Sequence, residues 1–341
     1  MIESNPEKIL IIRFSSMGDV VLVSALFAAL KSCYCDSEIT FVTDPQYTEL
    51  FKDDHRLYRV CGVSKKGNAV DCGLLQKSWD LVIDLQNNQK SKAFLALIRQ
   101  KKKVGTFAKP YLKRALRLIT RTGKYSEKDM VVVRYLAAAG IGYDVSKPQS
   151  CQLFFNTSVL PEHIREQTHT GEIIRPIIAL IPFAAWKNKQ WPQDRFVNVG
   201  QYFLVKGWDV CILGGPQEMK EAEEMARLTG NRCFSLAGKL SLYECGCFLK
   251  KCSLALGNDT GLSHLARACG VRTGIIYGPT TRHWGFYPQG EPSFKVFESF
   301  FLCRPCHAHG GNLCLINRGC MKAIGSDLVI KGLLELVKSS D

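Results

Sequence analysis

The chain has 341 residues, 46% of them hydrophobic and 22% charged, with a net charge of +14. That length exceeds one comfortable core and implies two domains, while the composition excludes disordered, collagen-like and low-complexity chains. The longest apolar run, residues 20–30, is broken by Ser24 and too short to span a bilayer, and the acidic, polar residues 1–7 are no signal peptide, so a soluble cytoplasmic protein is expected.

Fifteen cysteines would suggest disulfides in a small secreted protein, but this chain is large and without an export signal, and most, such as Cys211, Cys252 and Cys269, are set among apolar neighbours and read as small core residues. The positive charge points to acidic partners: phosphates, anionic lipid or nucleic acid. Residues 1–160 hold 24 Lys/Arg against 15 Asp/Glu, the remainder 21 against 16.

Residues 8–14 form a nearly continuous apolar, β-branched run of the kind a buried parallel strand requires. Ser15 to Asp19 turns the chain, and residues 20–31 read as a helix. Neither the glycine-rich dinucleotide fingerprint nor a phosphate loop stands here. The turn does present a carboxylate, Asp19, at the carboxyl edge of the first strand, where open α/β sheets bind ligands; helix capping is the plainer role. Further strands are expected at residues 38–43, 57–61, 80–85 and 103–106 with helices between them, which makes a doubly wound parallel sheet. Gln86-Asn87-Asn88-Gln89 is a polar patch at another strand end, fit for a hydroxyl-rich ligand or for solvent.

Residues 99–124 carry ten Lys/Arg and no acid, interleaved with Phe107, Tyr111, Leu112, Leu116, Leu118 and Ile119. Such a tract suits an anionic membrane or a phosphorylated ligand, with nucleic acid and a solvated face as competing readings. Residues 126–140 read as a helix, and residues 144–175 as a linker holding one short strand at 151–155. A second alternation follows, with strands at 177–181, 209–213, 233–236, 254–256 and 273–277 and helices at 193–205, 217–228, 241–250 and 325–338. The last helix is free to pack back across onto the first domain. The expected domains are residues 1–160 and 161–341.

The second domain holds the densest stretch. Leu254-Ala255-Leu256 runs into Gly257-Asn258-Asp259-Thr260-Gly261 and then an apolar-periodic segment: strand, tight turn, helix start. Asp259 and Thr260 suit an N-cap, and the glycines leave the backbone open to a ligand. The new helix offers its N–H groups and positive dipole end to an anion such as a diphosphate. Lys189, Gly214, Asp259, Thr260, Gly261, His264 and Thr280 all lie in loops that follow strands or, for His264, one turn into the helix beyond, so one site at the carboxyl edge can draw on them all.

These residues resemble the heptosyltransferases, glycosyltransferase family 9, ADP-heptose:lipopolysaccharide transferases with a two-domain GT-B fold. The resemblance rests on Ile11-Ile12-Arg13-Phe14-Ser15-Ser16-Met17-Gly18-Asp19, Asp84-Leu85-Gln86, Lys189-Gln190-Trp191-Pro192 and Asn258-Asp259-Thr260-Gly261-Leu262-Ser263-His264, in the family's order and at about its spacing. It implies two Rossmann-like parallel-sheet domains facing a central cleft, an N-terminal acceptor domain and a C-terminal nucleotide-sugar domain. It implies an inverting, metal-independent transfer of heptose from ADP-heptose to the lipopolysaccharide inner core, with Asp19 as base and Lys189 on the donor diphosphate. The Asp259-Thr260-Gly261 turn and His264, with Gly214 and Thr280 nearby, would hold the nucleotide sugar. The implied partners are a phosphorylated lipid A–Kdo acceptor and the anionic inner face of the inner membrane, with no nucleic acid and no required cofactor. A nucleotide-sugar epimerase of the same fold and a non-catalytic module for anionic lipid or RNA are the rival readings. Cys303, Cys306, Cys314 and Cys320 repeat with His307 and His309 among them; zinc, a disulfide and free thiols are all open there.

Overall fold

The computed structural model describes residues 5–63, 73–98, 100–109, 111–121, 126–144, 150–157, 175–287, 293–307 and 309–338. The chain divides into two units, Met1–Tyr111 with Tyr125–Phe154, and Leu112–Lys124 with Phe155–Asp341. The boundary read from the sequence, between residues 160 and 161, lies outside the described residues.

The first unit is a five-stranded parallel sheet of β1 (Lys8–Ile12), β2 (Glu38–Thr43), β3 (Arg59–Gly62), β4 (Ser78–Asp84) and β5 (Gln100–Thr106), in the order β3-β2-β1-β4-β5. Ile9 stands opposite Ile39 on one side and Leu81 on the other, and residues Ile9 to Ile12 are fully buried. That explains the unbroken apolar run: a central parallel strand is covered on both faces.

Its helices are α1 (Met17–Leu22), α2 (Ser24–Cys33), α3 (Gln89–Leu97) and α5 (Val131–Ala138). The single helix expected over residues 20–31 is two, parted at Val23, where the buried Ser24 hydroxyl donates to the Val21 carbonyl at 2.7 Å. Only Val131–Ala138 of the expected 126–140 helix is α-helical, preceded by a 3₁₀ turn at Glu127–Asp129 and closed by Gly140 at φ +77°. Between α3 and α5, helix α4 (Tyr111–Thr120) belongs, apart from its first residue, to the second unit. The tract from which it comes was expected on the first domain throughout. Arg99 and Lys124 at the ends of that tract lie outside the described residues.

The second unit is a six-stranded parallel sheet of β6 (Ile177–Ile181), β7 (Asp209–Ile212), β8 (Cys233–Ser235), β9 (Leu254–Asn258), β10 (Arg272–Tyr277) and β11 (Phe294–Glu298), ordered β11-β10-β9-β6-β7-β8. Counted within the unit this is 3-2-1-4-5-6, the order of dinucleotide-binding sheets. Helices α6 (Gln193–Val205), α7 (Met219–Thr229), α8 (Leu242–Leu249), α9 (Gly261–Ala268), α10 (Gly319–Lys322) and α11 (Ser326–Lys338) cover it. Strand β11 was not anticipated, and no strand forms at residues 151–155. Phe155 there packs on Tyr243, with ring centroids 5.5 Å apart, and occupies the space a side chain at Gly246 would need. Helix α11 buries Val329, Leu333 and Leu336 in the core of its own sheet. Cys211, Cys252 and Cys269 are buried thiols, as their apolar neighbours required.

Candidate functional site

In each sheet the strand order reverses once: between β1 and β4 in the first, and between β6 and β9 in the second. The helices that follow those strand pairs leave on opposite faces, so a crevice opens at the carboxyl ends there. The four sequence stretches singled out above fall at these two points.

In the first unit, β1 is followed by Arg13 and Phe14 and leads through Ser15 and Ser16 into α1. The buried Arg13 guanidinium pairs with the Asp19 carboxylate at 2.8 Å and donates to the Leu85 carbonyl at 2.6 Å. Ser16 donates to the same Asp19 oxygen through its hydroxyl at 2.9 Å and its backbone N–H at 3.4 Å. Gln86 closes the crevice by accepting from the Phe14 and Ser15 N–H groups at 3.0 and 3.2 Å. Asp84 in turn accepts from the Gln86 and Asn87 N–H groups and from the Ser91 hydroxyl. Gln86, the first residue of the polar patch after β4, therefore braces the β1 turn, while Asn88 caps α3. Burial alone disfavours the Asp19 anion, but Arg13 and the Ser16 donors outweigh it and hold its pKa below the ordinary carboxylate value. Burial raises the Tyr135 phenol well above its usual range, and its hydroxyl lies 3.4 Å from the Asp19 carbonyl.

In the second unit, four of the expected residues meet. The Lys189 ammonium lies 2.5 Å from the Asp259 carboxylate and 3.4 Å from the Asp259 carbonyl. Thr280, at the end of β10, donates to that carboxylate at 2.9 Å, and His264 Nε2 stands 3.6 Å from its other oxygen. Burial again disfavours the anion, and Lys189 and His264 reverse the balance, so the Asp259 pKa is driven far below normal. Lys189 is carried by a 3₁₀ turn, Lys187–Lys189. The turn is anchored where Asn258 accepts from the Trp191 N–H at 3.0 Å and donates to the Pro182 carbonyl at 2.6 Å. Trp191 itself is wholly buried, with its indole N–H on the Ile324 carbonyl at 2.9 Å.

Thr260 is the N-cap of α9 with extended backbone and no side-chain cap bond. The first-turn N–H groups, beginning at Gly261, are thus left for a ligand or water. The Ser263 hydroxyl bonds back to the Asn258 carbonyl at 2.7 Å, and a Cβ at Gly257 would come within 2.3 Å of it. Glycine is required there so that strand and helix can approach. His264 is buried, and its Nδ1 has no hydrogen-bond partner among the described residues. Gly214 lies at the end of β7, the neighbour of β6, where the Phe183 ring fills the space of a Cβ.

Sequence reasoning passed over Arg13, Asn258 and Ser263, which position Asp19 and the Asp259 turn. An arginine inside an otherwise apolar parallel strand was the available signal for the first. The cysteine cluster does not become a metal centre: among the described residues no group of three or more His, Cys, Asp or Glu side chains is arranged to hold a metal ion. Cys303, Cys306, Cys314 and Cys320 are free thiols grouped closely enough to affect one another. Burial first, and then its three neighbours, push the Cys306 thiol up to about 11. Among the described residues no helix is long and apolar enough to cross a membrane.

The sequence profile of glycosyltransferase family 9 (heptosyltransferase) matches residues 69–307, more than half of the chain. The chain is 27% identical over 302 residues to lipooligosaccharide heptosyltransferase 2 of Haemophilus ducreyi, covering 80% of this chain and 84% of that protein. Among solved structures it is similar to a family 9 glycosyl transferase of Veillonella parvula, with a TM-score of 0.76, 20% identity and 99% and 100% of the two chains covered. It is also similar to the E. coli ADP-heptose LPS heptosyltransferase II, with a TM-score of 0.72, 20% identity and 97% and 99% covered.

Proposed function

Because the chain belongs to glycosyltransferase family 9, the heptosyltransferases, and is a glycosyltransferase of GT-B fold, we propose that it moves heptose from ADP-heptose to the inner core of lipopolysaccharide with inversion. The observation that carries the donor side of this reading is the Lys189–Asp259–Thr280–His264 cluster beside the uncapped start of α9. Departure of ADP builds negative charge on the diphosphate, and fixed positive charge and N–H dipoles stabilise it. Lys189 has three N–H donors, two of them engaged by Asp259, and the third is available to a phosphate oxygen. The Gly261 end of α9 supplies backbone N–H groups, and the unpartnered His264 Nδ1 supplies a polar contact for the nucleotide sugar. Gly214 borders this donor pocket and Thr280 fixes Asp259 within it. Lysine and helix together meet the charge demand without a metal ion.

Asp19 takes the proton from the attacking acceptor hydroxyl. It lies outside residues 69–307, so its role rests on the β1 turn itself, where Arg13 and Ser16 hold an ionised carboxylate at the edge of a switch-point crevice. The acceptor is a phosphorylated lipid A–Kdo, so the protein works peripherally at the anionic inner face of the inner membrane. The first unit is the acceptor domain and the second the donor domain. Neither the epimerase nor the binding module accounts for a match to glycosyltransferase family 9.

Asp19→Asn, nearly isosteric, should lower turnover by roughly 10²–10⁴ while ADP affinity by calorimetry stays at the wild-type value. The assay is mass spectrometry of the product from ADP-heptose and a lipid A–Kdo acceptor. Absence of a heptosylated product with the wild type would overturn the transfer; undiminished turnover in the variant would remove Asp19 as the base.

A further inference from the structure

Helix α4 is amphipathic with its polarity reversed. Arg114, Arg117 and Arg121, spaced as one stripe, face the second unit, and Arg117 is only 5% exposed. Arg114 donates to the Trp284 carbonyl at 3.4 Å with its guanidinium over the Trp284 ring, and Arg117 donates to the His283 carbonyl at 3.2 Å. Arg121, just past the helix, donates to the carbonyls of Cys303 and Pro305, the latter at 3.2 Å. The opposite stripe, Leu112, Leu116 and Ile119, is turned outward, with Leu112 88% and Ile119 79% exposed. The hydrophobic effect acting on a water-soluble domain predicts the reverse orientation.

The segment that receives Arg121 repeats the pattern. Phe300 is 85% and Leu313 93% exposed, and Leu302 and Leu315 project as fully. Cys303 and Cys314, in the two halves of this segment, belong to one group of thiols, so both halves lie on the same part of the unit. Soluble proteins seldom leave so many large aliphatic side chains together in water without a partner. Both stretches also lack carboxylates: residues 112–124 contain five Lys/Arg and no acid, and residues 299–326 contain Arg304, Arg318 and Lys322 and no acid.

We propose that the outward stripe of α4 and the exposed side chains of Phe300, Leu302, Leu313 and Leu315 form one surface on the second unit that inserts into an anionic lipid bilayer. Its charge favours this occupant, because aliphatic side chains flanked by cations, with no carboxylate, complement acyl chains beneath anionic headgroups. The inference takes from the proposed function only that the acceptor is lipid-anchored. It reassigns the contact: the helix arginines are spent on carbonyls within the protein, and leucines and isoleucine enter the membrane.

The test uses the full chain with vesicles of phosphatidylethanolamine and phosphatidylglycerol, and phosphatidylcholine vesicles as the neutral control. Wild type should sediment with the anionic vesicles and retain a bound fraction at high salt, where purely coulombic binding is screened. The triple variant Leu112→Gln, Leu116→Gln, Ile119→Gln changes only exposed positions and should partition at least about tenfold more weakly, since burial of even part of three aliphatic side chains is lost. In a second measurement, Leu116→Trp should blue-shift on binding and be quenched by brominated acyl chains. Equal partitioning of wild type and triple variant, or a tryptophan unquenched while bound, overturns the inference. So does a wild-type dimer that the triple variant breaks without altering vesicle binding, which would make this face an interface between copies. ADP affinity should be unchanged in the variant. A wild type that binds vesicles but not ADP would sink the transferase reading and leave the bilayer surface standing.

Discussion

Replacing Lys189 by Met probes the buried pair in the second unit. The Asp259 carboxylate is buried and makes its closest contact, 2.5 Å, with the lysine. Without it the anion keeps only the Thr280 hydroxyl at 2.9 Å and His264 Nε2 at 3.6 Å. Removing one partner of a buried ion pair costs about 3–5 kcal/mol, which in a unit of this size lowers its melting transition by roughly 10 °C. The pH dependence fixes the cause. In the wild type the folded pKa of Asp259 lies below the unfolded value, so its contribution is complete above the ordinary carboxylate range and is lost as pH falls through it. In Lys189→Met burial, the largest single influence, is no longer outweighed, and the folded pKa moves above the unfolded one. The variant is then penalised most at neutral pH and relieved as the carboxyl takes up its proton. The gap between wild type and variant should therefore narrow as pH drops from 7 toward 4. Scanning calorimetry of wild type, Lys189→Met, Asp259→Asn and the double variant gives both readouts, and the double variant should lose less than the two single changes together. A gap independent of pH with additive losses would refute the coupled pair.

Two further outcomes follow from the same geometry. Arg13→Met removes the guanidinium that lies 2.8 Å from Asp19 and depresses its pKa; the acid limb of the kcat profile should move up by about 1–3 pH units, and a profile superimposable on the wild type would show that Asp19 does not govern it. Gly257→Ala places a methyl 2.3 Å from the Ser263 hydroxyl and 2.9 Å from Ile181 Cβ, so it should cost about 1–3 kcal/mol and weaken ADP binding together; calorimetric values unchanged in both would mean that the α9 turn is not held as tightly as its packing indicates.

Much of the arrangement was legible because a parallel α/β sheet writes itself plainly. Strands buried on both faces give apolar runs, and each loop after a strand falls on the same edge. That is why Lys189, Asp259, Thr280 and His264 could be grouped from a sequence in which they span some ninety positions. Gly214 shares that edge too, at the end of β7 beside β6, but a shared edge alone does not say which loops reach one another. Strand β11 was hidden for a different reason: Phe294 to Glu298 lies at a sheet edge and is interrupted by Lys295 and Glu298, without the continuous apolar run that marks the interior strands. Arg13 was visible but uninterpretable until Asp19 and the Leu85 carbonyl were seen around it.

Helix α4 shows what periodicity leaves undecided. The sequence sets Leu112, Leu116 and Ile119 on one stripe and Arg114, Arg117 and Arg121 on the other, but not which stripe faces the protein. The inward arginines are held by carbonyls at His283, Trp284, Cys303 and Pro305, about 170 to 180 positions away, which no local pattern reveals. A guanidinium can lie against a protein surface when its donors reach acceptors and its plane stacks on an aromatic ring, as Arg114 does on Trp284. Once those contacts form, the cost of burying the charges is offset and the aliphatic stripe is left in water. A net charge of +14 therefore misleads if each cation is taken as a contact for a partner. Lys101 and Lys102 in the same tract are likewise engaged, by the Leu95 and Ile98 carbonyls and by Asp80. The cations that fold the chain determine which apolar side chains remain exposed.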